Sequence, residues 1–265
     1  MMNRMRLLIL LAVLTATLPV LAYPTMLGDT GLVQIPTANV QREATFALGA
    51  DYLPAKTPAG NTLSLPIRLC YGLSEGSEFS VLISNVGDNT VGVNVEGAGA
   101  KIVLIDEELY GKLPGVAAGI RAFRQKTAPR LNAVEGYLVA SKVLLARGDN
   151  IEEGFTVRIH GGLTYTSYSG AVDADFTKPF IGLSYLHVNS NALVLDYLPE
   201  QQVGGVTLRQ ATVSAALRRR LSDHFWMQVG TTRAFGGNTA DTPFAGIIYR
   251  YAETNTRADR RPIEY

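Results

Sequence analysis

Apolar and polar residues alternate one by one over long stretches of this chain, and a period of two marks strands with unlike faces. In segment 43–52, Phe46, Leu48, Ala50 and Tyr52 fall on one side, and Thr45, Ala47, Gly49 and Asp51 on the other. Leu63, Leu65, Ile67, Leu69 and Tyr71 likewise oppose Thr62, Ser64, Arg68 and Gly72, while Phe79, Val81 and Ile83 oppose Glu78, Ser80 and Ser84. The best example is 154–168, where Phe155, Val157, Ile159, Leu163 and Tyr165 alternate with Thr156, Arg158, His160, Gly162, Thr164 and Thr166. One face suits hydrocarbon and the other water. Further strands are expected at 98–105, 115–123, 133–145, 178–188, 192–198, 206–220, 225–235 and 243–251, which makes twelve. Segment 133–145 has no clean phase, because Tyr137, Val139, Val143 and Leu145 share a side with Ser141 while Lys142 sits opposite.

Alternation alone also describes a soluble sandwich, so the connections decide. Transmembrane barrels alternate short periplasmic turns with longer outer loops. Tight turns at 73–76, 189–191 and 221–224 follow even-numbered strands; longer links at 53–61, 87–97, 124–132, 169–177, 199–205 and 236–242 follow odd-numbered ones. Links 106–114 and 146–153 break that parity by their length. Strand lengths near those that cross a bilayer at a tilt, an even strand number and this parity together predict an all-β fold, a closed antiparallel transmembrane β-barrel of about 12 strands with both ends in the periplasm. Tyr52, Tyr71, Tyr168, Tyr197, Trp226, Tyr249 and Tyr251 lie near strand ends, where amphipathic rings favour the membrane interface.

The N-terminus fits export. Arg4 and Arg6 precede an uncharged run from Leu7, and Val20 and Ala22 form a small-residue cleavage pattern, so residues 1–22 read as a signal peptide. No Cys lies there for lipid attachment, and the single Cys70 has no internal disulfide partner. The expected division is a lead-in segment at 23–42, the barrel at 43–251 and a polar tail at 252–265. Removing the signal peptide takes two Arg from the 24 basic residues and none of the 23 acidic ones, so the remainder is close to neutral and no nucleic-acid partner is expected. The 26 glycines and 12 tyrosines agree with β-structure.

The candidate functional residues are the charges on the polar strand faces: Asp51, Arg68, Glu78, Arg121, Arg158, His160 and Asp196. In a narrow lumen they must pair with one another or meet water. They therefore describe either a sealed network or a path for a ligand. Arg218, Arg219 and Arg220 form the only basic run and read as a solvated strand end. Neither His187 near Ser190 nor His224 near Ser222 makes a nucleophile and base pair, so no catalytic residue, metal or cofactor is expected.

Three motifs carry a resemblance. Gly31-Leu32-Val33-Gln34-Ile35-Pro36-Thr37-Ala38, then Leu113-Pro114-Gly115-Val116-Ala117-Ala118-Gly119-Ile120-Arg121, then Glu135-Gly136-Tyr137-Leu138-Val139-Ala140-Ser141-Lys142 occur in an order that resembles the YjbH-like, exopolysaccharide-associated outer-membrane barrel family. The resemblance implies a non-enzymatic barrel in a Gram-negative outer membrane, in contact with its lipid, that assists polysaccharide export or envelope organisation, with extracellular polysaccharide or export machinery as partner. Longer members of that group are lipid-anchored and much larger; here, with no Cys near the cleavage pattern, no lipid anchor and only one barrel are expected. The alternatives are a small passive diffusion pore and a lipid-active enzyme.

Overall fold

The computed structural model describes residues 25–57, 60–87, 93–107, 113–126, 130–147, 154–171, 173–187, 191–203, 206–235 and 240–251. The expected signal peptide and the polar tail lie outside them. The strands are β1 (Phe46–Thr57), β2 (Gly60–Ser74), β3 (Ser77–Gly87), β4 (Val93–Ile105), β5 (Gly115–Gln125), β6 (Leu131–Arg147) and β7 (Phe155–Gly170). After them come β8 (Ala174–His187), β9 (Asn191–Leu198), β10 (Gln201–Val203), β11 (Val206–Arg209), β12 (Ala211–Arg220), β13 (Phe225–Phe235) and β14 (Ala240–Tyr251).

Twelve of these close into one antiparallel barrel in the order β1-β14-β13-β12-β9-β8-β7-β6-β5-β4-β3-β2. Closure joins the first strand to the last, with Phe46 opposite Tyr251 and Tyr52 opposite Ala245. That pairing matters because an open edge facing hydrocarbon would leave backbone groups unsatisfied, at several kcal/mol each. The period of two sorts the side chains. Leu48, Ile67, Ile83, Ile120, Leu163, Ile181 and Ile247 point outward and are exposed, forming an apolar belt. Asp51, Arg68, Ser80, Lys101, Arg121, Thr164 and Ser214 point inward and are buried. We call the rim where β1 starts and β14 ends the lower rim, and the opposite one the upper rim.

Four expectations change. The strand read at 206–220 is two: β11 leaves the barrel to pair with β10, and β12 alone returns to the wall. The link expected at 53–61 is mostly strand, because β1 runs to Thr57 and β2 begins at Gly60, so this hairpin rises well above the upper rim. Tyr168 and Trp226 turn inward and are buried, Trp226 against Ala47 and Ile248, so they are not interface anchors. The unclear phase of β6 also resolves: Glu135, Tyr137, Val139 and Ser141 all face the lumen, and a register shift between Val143 and Leu145 breaks the alternation beyond them.

Candidate functional site

The lumen is not empty. Residues 25–41 fold into it as a compact plug, which explains why apolar residues occur on the inner wall. The plug is tied to itself first. Thr25 N–H donates to Asp29 O at 2.5 Å, Met26 N–H to Val33 O at 2.7 Å, Leu32 N–H to Ile35 O at 3.0 Å and Thr37 N–H to Thr30 O at 3.2 Å. Gly28, at φ 110°, supplies the left-handed turn that these bonds need.

Where the plug meets β1, the chain reverses at the lower rim. Ala44 stands at φ 55°, a conformation costly for a residue with a Cβ, and three bonds hold it there. Ala44 N–H donates to Gly72 O, Gly72 N–H to Thr45 O and Thr45 N–H to Arg42 O. Gly72 itself is demanded by contact, since a Cβ there would lie 1.8 Å from Arg42 O. The sharp turn thus aims the chain back into the barrel.

Two sides of the wall grip the plug differently. On β3 to β6 the grip is mostly ionic, with Ala117, Tyr137 and Val139 adding apolar contact. Glu78 accepts from Thr30 N–H at 2.8 Å and from Gln41 N–H at 2.7 Å, and Lys101 pairs with Glu78 at 2.9 Å while donating to Thr30 O at 2.9 Å. Arg121 bridges Asp29, at 3.2 Å, and Glu135. Tyr137 Oη donates to Asp29 Oδ2 at 2.5 Å. Burial pushes the Asp29 carboxyl up, but Arg121 and then Lys101, with hydrogen bonds from Tyr137 and Thr25, more than reverse this and hold it below its ordinary value.

On β8, β9, β12 and β14 the grip is mostly apolar. Leu32, Val33 and Ile35 are buried in a cluster with Phe180, Val194, Leu198, Ala216 and Phe244. Gly182 makes the seat, because a Cβ there would meet Leu32 Cδ1 at 2.4 Å and Ile35 Cδ1 at 2.6 Å. Two charges complete this side by holding the plug's backbone. Asp196 accepts from Val33 N–H at 2.8 Å and Gln34 N–H at 2.7 Å, and Arg218 donates to Gly31 O at 3.2 Å and Leu32 O at 2.7 Å.

The seven candidate residues all lie on the inner wall, though not all on the plug. Glu78, Arg121 and Asp196 hold it directly, and Arg158 reaches its last residues through Asn39. Asp51 and Arg68 pair with each other inside the wall, with Gln228 donating to Asp51. Arg158 is half-buried near the lower rim, donating to Asn39 at 3.3 Å and lying 3.8 Å from Glu107. His160 joins Ser141 at 2.8 Å and Ser184 at 2.9 Å, and Ser141 accepts from Ala38 N–H at 2.9 Å.

Sequence reasoning overlooked that serine and histidine contact, as well as Lys101, Glu135 and Arg218. Register supplies Ser141 opposite His160, and parity alone would have placed Lys101 and Glu135 inward. Arg218 is a correction: within the expected solvated run, Arg218 is buried on the plug, Arg219 falls on the outer face, and Arg220 is exposed at the strand end, where it pairs with Asp223. The serine and histidine contact serves the plug, since no carboxylate joins His160 among its hydrogen-bonded partners and Ser141 is sealed beneath Ala38.

A second set of polar contacts lies at the upper rim. Gln201 of β10 is fully buried, accepting from Tyr168 Oη at 2.5 Å and donating to Thr166 Oγ1 at 3.2 Å. Thr166 in turn donates to Glu135 at 2.9 Å.

No family model and no curated protein matches the chain. Among solved structures it is similar to the KdgM porin, at a TM-score of 0.54 and 12% identity over 78% of this chain and 99% of that one. It is similar also to the KdgM porin in complex with disordered oligogalacturonate, at 0.53 and 11% over 78% and 99%, and to the NanC porin, at 0.51 and 8% over 77% and 98%. The chain has the fold of an outer-membrane porin. At such identities the likeness is one of fold alone, and the plug is read from this chain's own contacts.

Proposed function

We propose that the protein is a non-enzymatic outer-membrane barrel kept shut by its own N-terminal segment, and that it assists the passage or attachment of extracellular polysaccharide. The observation that carries this reading is the plug: residues 25–41 occupy the lumen and are gripped from β3 around to β14. The apolar belt supports a place in lipid, and the motif resemblance supports the polysaccharide role. Both ends of the barrel lie at one rim, and the short turns 75–76 and 221–224 lie at that same rim, which supports a periplasmic position for both.

Purified protein in planar bilayers tests the reading. The wild type is expected to stay silent for most of each record, with rare openings when the plug leaves. Likeness of fold to porins favours a second reading, a passive diffusion pore, and steady conductance from wild-type protein would establish that instead.

A further inference from the structure

We infer that the lumen, once the plug withdraws, is a binding track for an uncharged, hydroxyl-bearing chain, a neutral glycan rather than an acidic one. The inference rests on the proposed function and names its ligand class. The plug shows what the wall is built to hold.

The first argument is charge. Among the described residues, four buried carboxylates face the lumen from the wall, Asp51, Glu78, Glu135 and Asp196, against four buried cations, Arg68, Lys101, Arg121 and Arg218. Three pairs form within the wall itself: Asp51 with Arg68, Glu78 with Lys101 and Glu135 with Arg121. A polyanion entering such a lumen meets as many buried carboxylates as cations, and recruiting Arg68, Lys101 or Arg121 leaves Asp51, Glu78 or Glu135 behind without its partner. The wall therefore offers a polyanion no net attraction.

The second argument is what the charges touch. Glu78 and Asp196 accept from backbone N–H groups and a hydroxyl, while Lys101 and Arg218 donate to backbone carbonyls. Asp29 is the one charged plug side chain in these contacts; all other partners are neutral donors and acceptors. A glycan presents that same mixture through its hydroxyl groups, which both donate and accept. The third argument is the apolar shelf of Phe180, Leu198 and Phe244 that seats Leu32 and Ile35. The C–H faces of sugar rings match such a shelf. Because the three ion pairs lie within the wall, they remain paired when the plug leaves.

The test uses the full protein in planar bilayers. Ile35→Asp places a carboxylate in the apolar seat, and Gly72→Val blocks the turn into the lumen; each leaves the wall charges in place. Folding is checked by the shift in gel mobility on boiling. Maltohexaose and hexagalacturonate are then compared as blockers of the open current. Maltohexaose is expected to block at a concentration at least about tenfold lower. In the wild type, maltohexaose is expected to raise the opening frequency by competing with the plug, and hexagalacturonate to leave it unchanged. That arm decides if neither variant folds. Equal or stronger block by the acidic chain overturns the ligand class and leaves the plug standing. Folded variants that stay closed overturn the displaceable plug, and the proposed function with it.

Discussion

The two sides of the lumen hold one segment by different physics. Toward β3 to β6, the plug meets charges already paired in the wall, so each contact exchanges one hydrogen bond for another and its net worth is modest. Toward β8, β9, β12 and β14, it buries Leu32, Val33 and Ile35 in a close-packed cluster, where each methylene removed from water counts. The difference implies a division of labour. The apolar side supplies most of the free energy that keeps the plug in, and the charged side fixes its register.

That division can be broken experimentally. The largest effect is expected from Ile35→Ala, which leaves a cavity in the apolar cluster and weakens closure by about 2–5 kcal/mol. It is read as the rise in open probability in bilayers, and a change no larger than that of a charged-side substitution would refute the ranking. Next is Asp196→Asn, which keeps the shape but removes the charge that accepts from Val33 and Gln34; the loss is about 1.5–3 kcal/mol by the same measurement.

Smaller still is the pH response of the charged side. The Asp29 carboxyl is held below its ordinary value of 3.8, so its stabilising share is complete above that range and is lost as pH falls through the lowered value. The open probability of wild type and Asp29→Asn is therefore expected to differ near neutral pH and to converge in acid. A gap that widens in acid would reverse the assigned sign. The smallest effect belongs to Lys126→Ala, which removes an exposed pair with Glu96 on the outside of the barrel; closure is expected to change by less than about 0.5 kcal/mol.

The same contrast separates what the chain revealed in sequence from what it concealed. Asp51, Arg68 and Glu78 were legible as inward groups, because each sits opposite an unbroken apolar face such as Leu65, Ile67 and Leu69. The apolar contacts of the plug were hidden by that rule, even on β6. Tyr137 and Val139 are inward yet apolar, so β6 showed no phase, and the cause is a partner more than a hundred positions away at Leu32 to Ala38. The Gly31 to Ala38 motif stood out as a motif, but nothing local says that a segment with neither period lies inside a barrel. Arg218 was missed for a related reason: a run of three arginines reads as solvent-exposed unless the pleat is followed residue by residue.

One chain of contacts joins the upper hairpin to the plug. From the buried Gln201 of the upper hairpin, bonds run through Thr166 to Glu135, on to Arg121 and then to Asp29 within the plug. Gln201 and the plug are therefore ends of one polar thread through the barrel. Thr166 and Arg121 share the Glu135 carboxylate, so Thr166→Val is expected to remove one of the bonds that orient the partner of the guanidinium holding Asp29.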